Sequence, residues 1–503
     1  MLGRILSLPL LVILMGIGAL AMYLPAALAF SGRDYEVALA FFNWGTLFLV
    51  LFAIVGIATS TYEVSNQARS HLLALLGAYL ILPLMLAVPV YDAVPGARFF
   101  NAYLDMVSSF TTTGANFIEG AGRVAQAVHF WRALVGWLGG FFVWVTAIAI
   151  LAPMNLGGFE VESAAEIGQA APQITHVADP SERLVRFAVD LLPVYSGLTL
   201  VLWVSLVVAG DGPFVAVCHA MSTLATSGIS PVGGPAGAPS GGSGEPIILL
   251  FFVFAVSRQT FAPDRSHQRV QFLFRNPEFR MAVVAVTVIP GLLFLRHWVG
   301  AFSTDMEENA PAAISALWGA VFTVLSFLST TGFVSGAWDA SQAWSGLPTP
   351  GVILLGLSLV GGGVATTAGG VKLLRVYALY MHGRRELDKL THPNSVGGAG
   401  VEARRIRRQG AYVAWIFFML FALSLAAVCL ALGLAGLDFE PAMVLAVASL
   451  STTGPLAQVA SEVPISYATL NDSAKMIVGA AMVLGRLETL AIIALLNPDF
   501  WRS

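Results

Sequence analysis

Four short stretches hold the residues best suited to chemistry in this chain. Leu328-Ser329-Thr330-Thr331-Gly332 and Leu450-Ser451-Thr452-Thr453-Gly454 are the same five residues. Phe110-Thr111-Thr112-Thr113-Gly114 and Leu224-Ala225-Thr226-Ser227-Gly228 are close variants. They recur at intervals of roughly 100–120 residues, the signature of a chain built from repeats. None contains an acid, a histidine or a cysteine. They offer oxygen: hydroxyls at Thr112, Thr113, Thr226, Ser227, Thr330, Thr331, Thr452 and Thr453, and backbone carbonyls freed where a helix ends. Glycine tolerates φ > 0, so Gly114, Gly228, Gly332 and Gly454 are expected to let each turn aim its carbonyls inward. Carbonyls facing a pore replace a cation's hydration shell. Oxygen ligands without a fixed carboxylate suit a monovalent ion better than Ca²⁺.

Such turns need rigid apolar neighbours, and the composition supplies them. The 503 residues are 57% hydrophobic and only 11% charged, against roughly 25% charged in soluble chains. Mean hydropathy is +0.78, too high for a soluble core and indicative of an integral membrane protein. The net charge of −3 gives no reason to expect a nucleic-acid partner. Cys218 and Cys429 lie in separate apolar runs and read as inert thiols.

Each hydroxyl-glycine stretch ends a short apolar segment lying between two longer ones. The expected fold is all-α and membrane-embedded, with four non-identical helix–pore loop–helix repeats around a central pore. Two further helices precede them, at 7–30 and 37–59. A cleavable signal peptide is the rival reading of the first, because Ala27-Leu28-Ala29 resembles a cleavage site. The expected units are 1–71 for the N-terminal pair, then 72–183, 184–280, 281–410 and 411–503 for the repeats. The short helices entering the turns are expected at 99–111, 213–225, 312–329 and 440–451. Each would point its C-terminal dipole, roughly half a negative charge, at the pore. The second helix of repeat two, at 246–257, is short for a full span and follows a Gly/Pro/Ser-rich loop.

Charge fixes the orientation. With both termini in the cytoplasm, most Lys and Arg fall in cytoplasmic segments, including Arg258, Arg265, Arg269, Arg275, Arg280, Arg384, Arg385, Arg404, Arg405, Arg407 and Arg408. Outer segments keep Arg33, Arg98, Arg123 and Lys475, together with Asp305, Glu307, Glu308, Asp339, Asp438 and Glu440. Those acids are either solvated loop charge or a mouth that concentrates cations.

Past the third turn the chain reads Gly361-Gly362-Gly363-Val364-Ala365-Thr366-Thr367-Ala368-Gly369-Gly370. Each glycine weakens a helix by roughly 1 kcal/mol relative to alanine, so this helix should break. The run is no P-loop, because Gly370 is followed by Val371 and Leu373 stands where a hydroxyl is needed. Arg486 lies inside the last apolar helix, and an intramembrane charge marks a functional position. At about 8 Å and an effective dielectric of about 20 it would oppose a passing monovalent cation by roughly 2 kcal/mol. It is also placed to bond carbonyls freed at the broken helix.

These features resemble the Trk/Ktr/HKT superfamily of potassium transporters, over nearly the whole chain. Besides the four turns, the likeness rests on Met154-Asn155-Leu156-Gly157-Gly158-Phe159-Glu160, Ala368-Gly369-Gly370-Val371-Lys372, Gly485-Arg486-Leu487-Glu488 and Phe500-Trp501-Arg502. The two additional N-terminal helices favour the bacterial Trk branch. The resemblance implies a pore-forming subunit for potassium uptake in the bacterial inner membrane, with K⁺ as cargo and no organic cofactor. Thr112, Thr113, Gly114, Thr226, Ser227, Gly228, Thr330, Thr331, Gly332, Thr452, Thr453 and Gly454 would be its filter. In the family, serine in place of the first filter glycine goes with sodium permeation, so Gly114 implies potassium selectivity. Gly361, Gly362, Gly363, Thr366, Thr367, Gly369, Gly370 and Arg486 would form the gate. The resemblance also implies a homodimer and a cytoplasmic nucleotide-binding regulatory ring, docked on the basic stretch 372–408. The departures are Ser227 and the short helix of repeat two.

Two rivals stand beside this reading. A secondary transporter, coupled to H⁺ or Na⁺, also uses repeats and broken helices; it would call for an intramembrane acid or aromatic cluster, and none stands out in the sequence. A membrane-embedded enzyme would need catalytic or metal-binding spacing. His71, His129, His176, His219, His267, His297, His382 and His392 provide none.

Overall fold

The computed structural model describes residues 8–59, 67–118, 124–152, 180–257, 276–300, 310–346, 351–392 and 408–487. The motif 154–160, the basic residues 258–275 and 404–407, the acids Asp305, Glu307 and Glu308, and everything from Glu488 onward lie outside them. Among the described residues the fold is entirely helical, and eight helices are long and apolar enough to cross a membrane. A helix satisfies its backbone polar groups internally, which is what a chain of this hydropathy requires in lipid.

The N-terminal helices α1 (Leu10–Ala21) and α2 (Tyr23–Ser31) form one span, followed by α3 (Tyr35–Thr59). They pack on the first repeat, where Gly18 abuts Met85 and Leu86 and Phe41 meets the Trp131 ring edge-on. Repeat one comprises α4 (Gln67–Leu80) and α5 (Leu82–Ala93), the pore helix α6 (Phe99–Phe110), and α7 (Gln126–Thr146) ending in a π-turn. Repeat two has α8 (Pro180–Val208), pore helix α9 (Pro213–Ala225), and the short pair α10 (Gly244–Phe251) and α11 (Val253–Val256). Repeat three has α12 (Pro277–Gly300), pore helix α13 (Ala310–Leu328), a surface helix α14 (Trp338–Ser345), and α15 (Gly351–Val360). The glycine loop then leads into α16 (Leu373–Thr391). Repeat four has α17 (Arg408–Leu434), pore helix α18 (Phe439–Leu450), α19 (Leu456–Val459) and α20 (Asp472–Leu487).

The packing closes on itself. Each pore helix touches the long helix before it, and the helix after each pore helix also touches the next pore helix. So α7 meets α9, α10 meets α13, α15 meets α18, and α20 returns to α6. Two glycines allow the closest approaches: Gly139 on α7 lies against the Phe110 carbonyl and Gly485 on α20 against the Leu450 carbonyl, each the last residue of a pore helix. At the exposed surface Arg98 donates twice to Asp472, at 3.0 and 2.7 Å, tying repeat one to repeat four. That hydrogen bonding holds the Asp472 carboxyl below the usual carboxylate range.

One expectation changes here. The stretch 372–408 is not a plain basic loop: α16 starts at Leu373, and Lys372, Leu373, Leu374 and Arg375 are buried. The Arg375 guanidinium stacks 3.6 Å over the Phe417 ring centroid. Lys475, assigned to an outer segment from the sequence, is buried beside the Asn101 side chain at 3.2 Å.

Candidate functional site

All four pore helices end in the same local structure. Thr113 N–H reaches back to the Ser108 carbonyl at 2.8 Å while Thr112 N–H bonds Ser109, the paired pattern of a Schellman cap. Ser227 to Ser222, Thr331 to Ser326 and Thr453 to Ala448 repeat it at 3.0, 3.0 and 2.8 Å. Such a cap needs a left-handed residue, usually glycine. Here threonine fills the position four times: Thr112, Thr226, Thr330 and Thr452 have φ of 55°, 50°, 58° and 53°. A β-branched residue there costs on the order of 1–3 kcal/mol, a strain characteristic of functional segments. Sequence reasoning assigned positive φ to the glycines and missed the threonines; four identical Thr positions were the available signal.

Gly114, Gly228 and Gly332 do have φ of 77°, 64° and 79°, but Gly454 has no positive φ. The expectation of four equivalent glycines is corrected. Pro455, with its φ held at −59°, starts the small helix α19 at once. The fourth turn's carbonyls are accordingly engaged. Thr453 accepts from Leu456 N–H at 3.1 Å, and Gly454 from the Tyr467 hydroxyl at 2.9 Å.

The second hydroxyl of each turn is tied behind it. Thr111–Thr113, Ser329–Thr331 and Ser451–Thr453 pair at 2.8, 3.0 and 3.1 Å. Ala225 has no hydroxyl to pair, and Ser227 instead reaches Ser222 at 3.1 Å, which accounts for the departure in repeat two.

The turns meet head to tail. A Cβ added at Gly114 would run into the Ser227 carbonyl, and one at Gly228 into the Thr331 carbonyl. One at Gly332 would touch the Pro455 ring at 3.0–3.2 Å, and Gly454 N–H donates to Thr113 at 2.7 Å. The contacts run one, two, three, four and back to one, and the Pro455 ring of turn four also lies against Gly228 of turn two, across the ring.

Buried polar groups brace the ring from behind. Arg132 Nε bonds Asp105 at 2.8 Å, and Asp105 in turn accepts from Phe117 N–H at 3.3 Å. Glu245, buried on α10, accepts from Trp318 Nε1, Ser335 Oγ and Gly336 N–H, each at 2.7 Å. His219 is buried, bonded to Ser230 at 2.8 Å and edge-on to the Phe333 ring. Buried acids do therefore occur, and Trp137 stacks on Tyr195 at 4.9 Å with Phe141 and Trp144 nearby. Among the described residues no His/Cys/Asp/Glu cluster has metal-binding geometry.

The first hydroxyls of turns three and four, on Thr330 and Thr452, face the broken helix, whereas Thr226 Oγ1 donates to the Ala225 carbonyl at 2.8 Å. The chain leaves α15 at Gly361 (φ 72°) and returns at Gly370 (φ 77°), where Val371 N–H bonds the Leu359 carbonyl at 2.9 Å. Gly362 and Gly363 lie against the backbone of Ala255 and Val256 on α11, and Thr366 Oγ1 donates to Ala255 at 2.9 Å. Thr367 Oγ1 donates to Leu224 at 3.1 Å, at the end of the second pore helix. Gly369 N–H donates to Thr330 Oγ1 at 2.8 Å, and Gly369 abuts Ser451 and Thr452. The loop thus touches turns three and four and the pore helix above turn two.

Arg486 reaches the remaining turn. Its Nη2 donates to Thr112 Oγ1. It does not bond carbonyls of the broken helix; Lys372 Nζ takes the Ala368 carbonyl instead. Arg486 is 8% exposed, and among the described residues no carboxylate lies within ion-pair distance of it.

The comparisons agree with this architecture. The cation transport protein model TrkH matches residues 265–501. The chain is 28% identical to the Trk system potassium uptake protein TrkH of Vibrio parahaemolyticus, over 98% of both chains. It is 30% identical to the Trk system potassium uptake protein TrkI of Halomonas elongata, over 83% of this chain and 81% of the relative. The chain belongs to the Trk family of cation transport proteins. The crystal structure of the potassium transporter TrkH from Vibrio parahaemolyticus superposes on all of it with a TM-score of 0.82, at 25% identity. The Trk fold is thus shared, and among the described residues it is all-helical.

Proposed function

We propose that this Trk-family chain takes up potassium across a bacterial inner membrane through the ring of four turns, with the 361–370 loop as its gate. The observation that supports it most is the head-to-tail contact of the turns around one axis. A ring of peptide oxygens replaces the ion's water, and four helix C-termini supply the negative field. Twelve residues form this filter, from Thr112–Gly114, Thr226–Gly228, Thr330–Gly332 and Thr452–Gly454. Thr366, Thr367 and the loop glycines hold the plug beneath them, and Arg486 adds a positive charge beside Thr112.

K⁺ is cargo in this reading, and no organic cofactor takes part. Both termini are cytoplasmic in this reading, which the Lys/Arg distribution supports. A homodimer and a nucleotide-binding ring on the basic side complete the proposed assembly, on the strength of the family likeness. Asp105, a buried acid on the first pore helix, is bonded to Arg132, which favours a bracing role over a proton-carrying one.

Gly114→Ser tests the filter in a potassium-uptake-deficient bacterium on low potassium. The wild type should restore growth. The variant should lose selectivity for K⁺ over Na⁺, because its Cβ meets the Ser227 carbonyl. Unaltered selectivity in a well-expressed variant would refute the assignment.

A further inference from the structure

Outside the pore, an apolar groove of about 770 Å³ lies between α12, α15 and α16. That volume is within the range of about 300–1,000 Å³ typical of small-molecule sites. Its wall begins at Leu328, directly before the third turn. It includes Val360 and Leu373, the residues on either side of the glycine loop, and ends at Arg280 and Tyr380. Val284 and Val288 line it and are 59% and 49% exposed, so the groove opens on the lipid-facing surface. Gly356 widens it: a Cβ there would meet nothing within 4 Å. The open end is basic. Arg280 is exposed, and Arg384 follows Tyr380 by four residues on the same face of α16.

We propose that this groove holds an acyl chain of an anionic phospholipid, with the phosphate between Arg280 and Arg384, and that the bound lipid steadies the closed gate. A saturated chain complements the apolar wall, and a phosphate complements the two guanidiniums. A ligand touching both stumps of the broken helix favours the arrangement in which it finds them. The site rests on the orientation proposed above, which puts its basic end at the cytoplasmic leaflet.

The test uses the full-length protein, in native mass spectrometry with phosphatidylglycerol or phosphatidylcholine and in Rb⁺ flux from vesicles of each lipid. The wild type should retain phosphatidylglycerol preferentially, by about fivefold or more for two basic residues. Rb⁺ flux should be at least twofold higher in pure phosphatidylcholine. Gly356→Phe, which fills the groove, and the double variant Arg280→Gln/Arg384→Gln should abolish the preference and the flux difference; Gly356→Leu provides a smaller plug if phenylalanine prevents folding. Equal retention of both lipids, or a preference untouched by these variants, would overturn the proposal. So would dissociation of a dimer by Gly356→Phe, which would mean that a second copy covers the groove. Lipid retention is read without transport, so a chain that moves no Rb⁺ would sink the potassium reading separately.

Discussion

Gly369→Ala probes the gate with one methyl group. In the present structure that methyl would collide with the Ser451 carbonyl oxygen and Thr452 Oγ1, and lie 2.9 Å from the Ser451 carbonyl carbon. Carbon atoms in good contact are about 3.5–4.0 Å apart, and the two oxygens are closer still than the carbonyl carbon, so the loop must withdraw by about 1 Å or more. Overpacking of this kind costs about 1–3 kcal/mol. The cost falls on the closed arrangement, since a loop swung away from the filter no longer touches the fourth turn. Only such a difference between states shifts their populations, and 1–3 kcal/mol corresponds to about 5–150-fold. The hydrogen bond from Gly369 N–H to Thr330 Oγ1 lengthens with the same movement. Rb⁺ influx into reconstituted vesicles should therefore rise at least about fivefold with K⁺ over Na⁺ selectivity intact. Gly383→Ala, whose methyl meets nothing within 4 Å, is the control and should not change flux. Unchanged or reduced flux in a normally folded Gly369→Ala protein would refute the gating argument. Lost selectivity would also refute it, by showing that the fourth turn yields rather than the loop.

Arg486→Ala should also raise flux, by more than about tenfold, because a charge opposing the ion by roughly 2 kcal/mol disappears together with the bond to Thr112; equal or lower flux in vesicles would count against it. Arg132→Ala leaves Asp105 buried without its cation and should cost about 3–5 kcal/mol, read as a large drop in thermal stability. Removing both partners at once should cost less than removing Arg132 alone, and a double-mutant cycle checks this.

Much of the plan is legible in the sequence because lipid restricts the choices. Apolar runs of span length must be helices, and four copies of one hydroxyl-glycine stretch predict four similar turns. The pore helix of repeat two is expected at 213–225 and found at Pro213–Ala225. The break after Val360 follows from the density of glycines. Most of what escaped the reading depends on contacts between distant segments. One exception is local: the Schellman bonds that close each pore helix put Thr112 and its three counterparts at φ > 0, and the four matching threonines are its trace in the sequence. Pro455 adjoins Gly454 in the sequence, yet its consequence, a fourth turn unlike the others, appears only where α19 forms. Arg486 was placed near the gate by its helix position, but its partner is 374 residues away and could not be read off. Glu245 had no motif at all; its role comes from three donors that converge on it from repeat three.

The decisive measurement is anomalous diffraction from crystals of the protein grown in Rb⁺. The account predicts ion density on the axis enclosed by Gly114, Gly228, Gly332 and Gly454, at coordination distance from carbonyl oxygens of more than one turn. Rb⁺ bound elsewhere, with none between the four turns at saturating concentration, would contradict it.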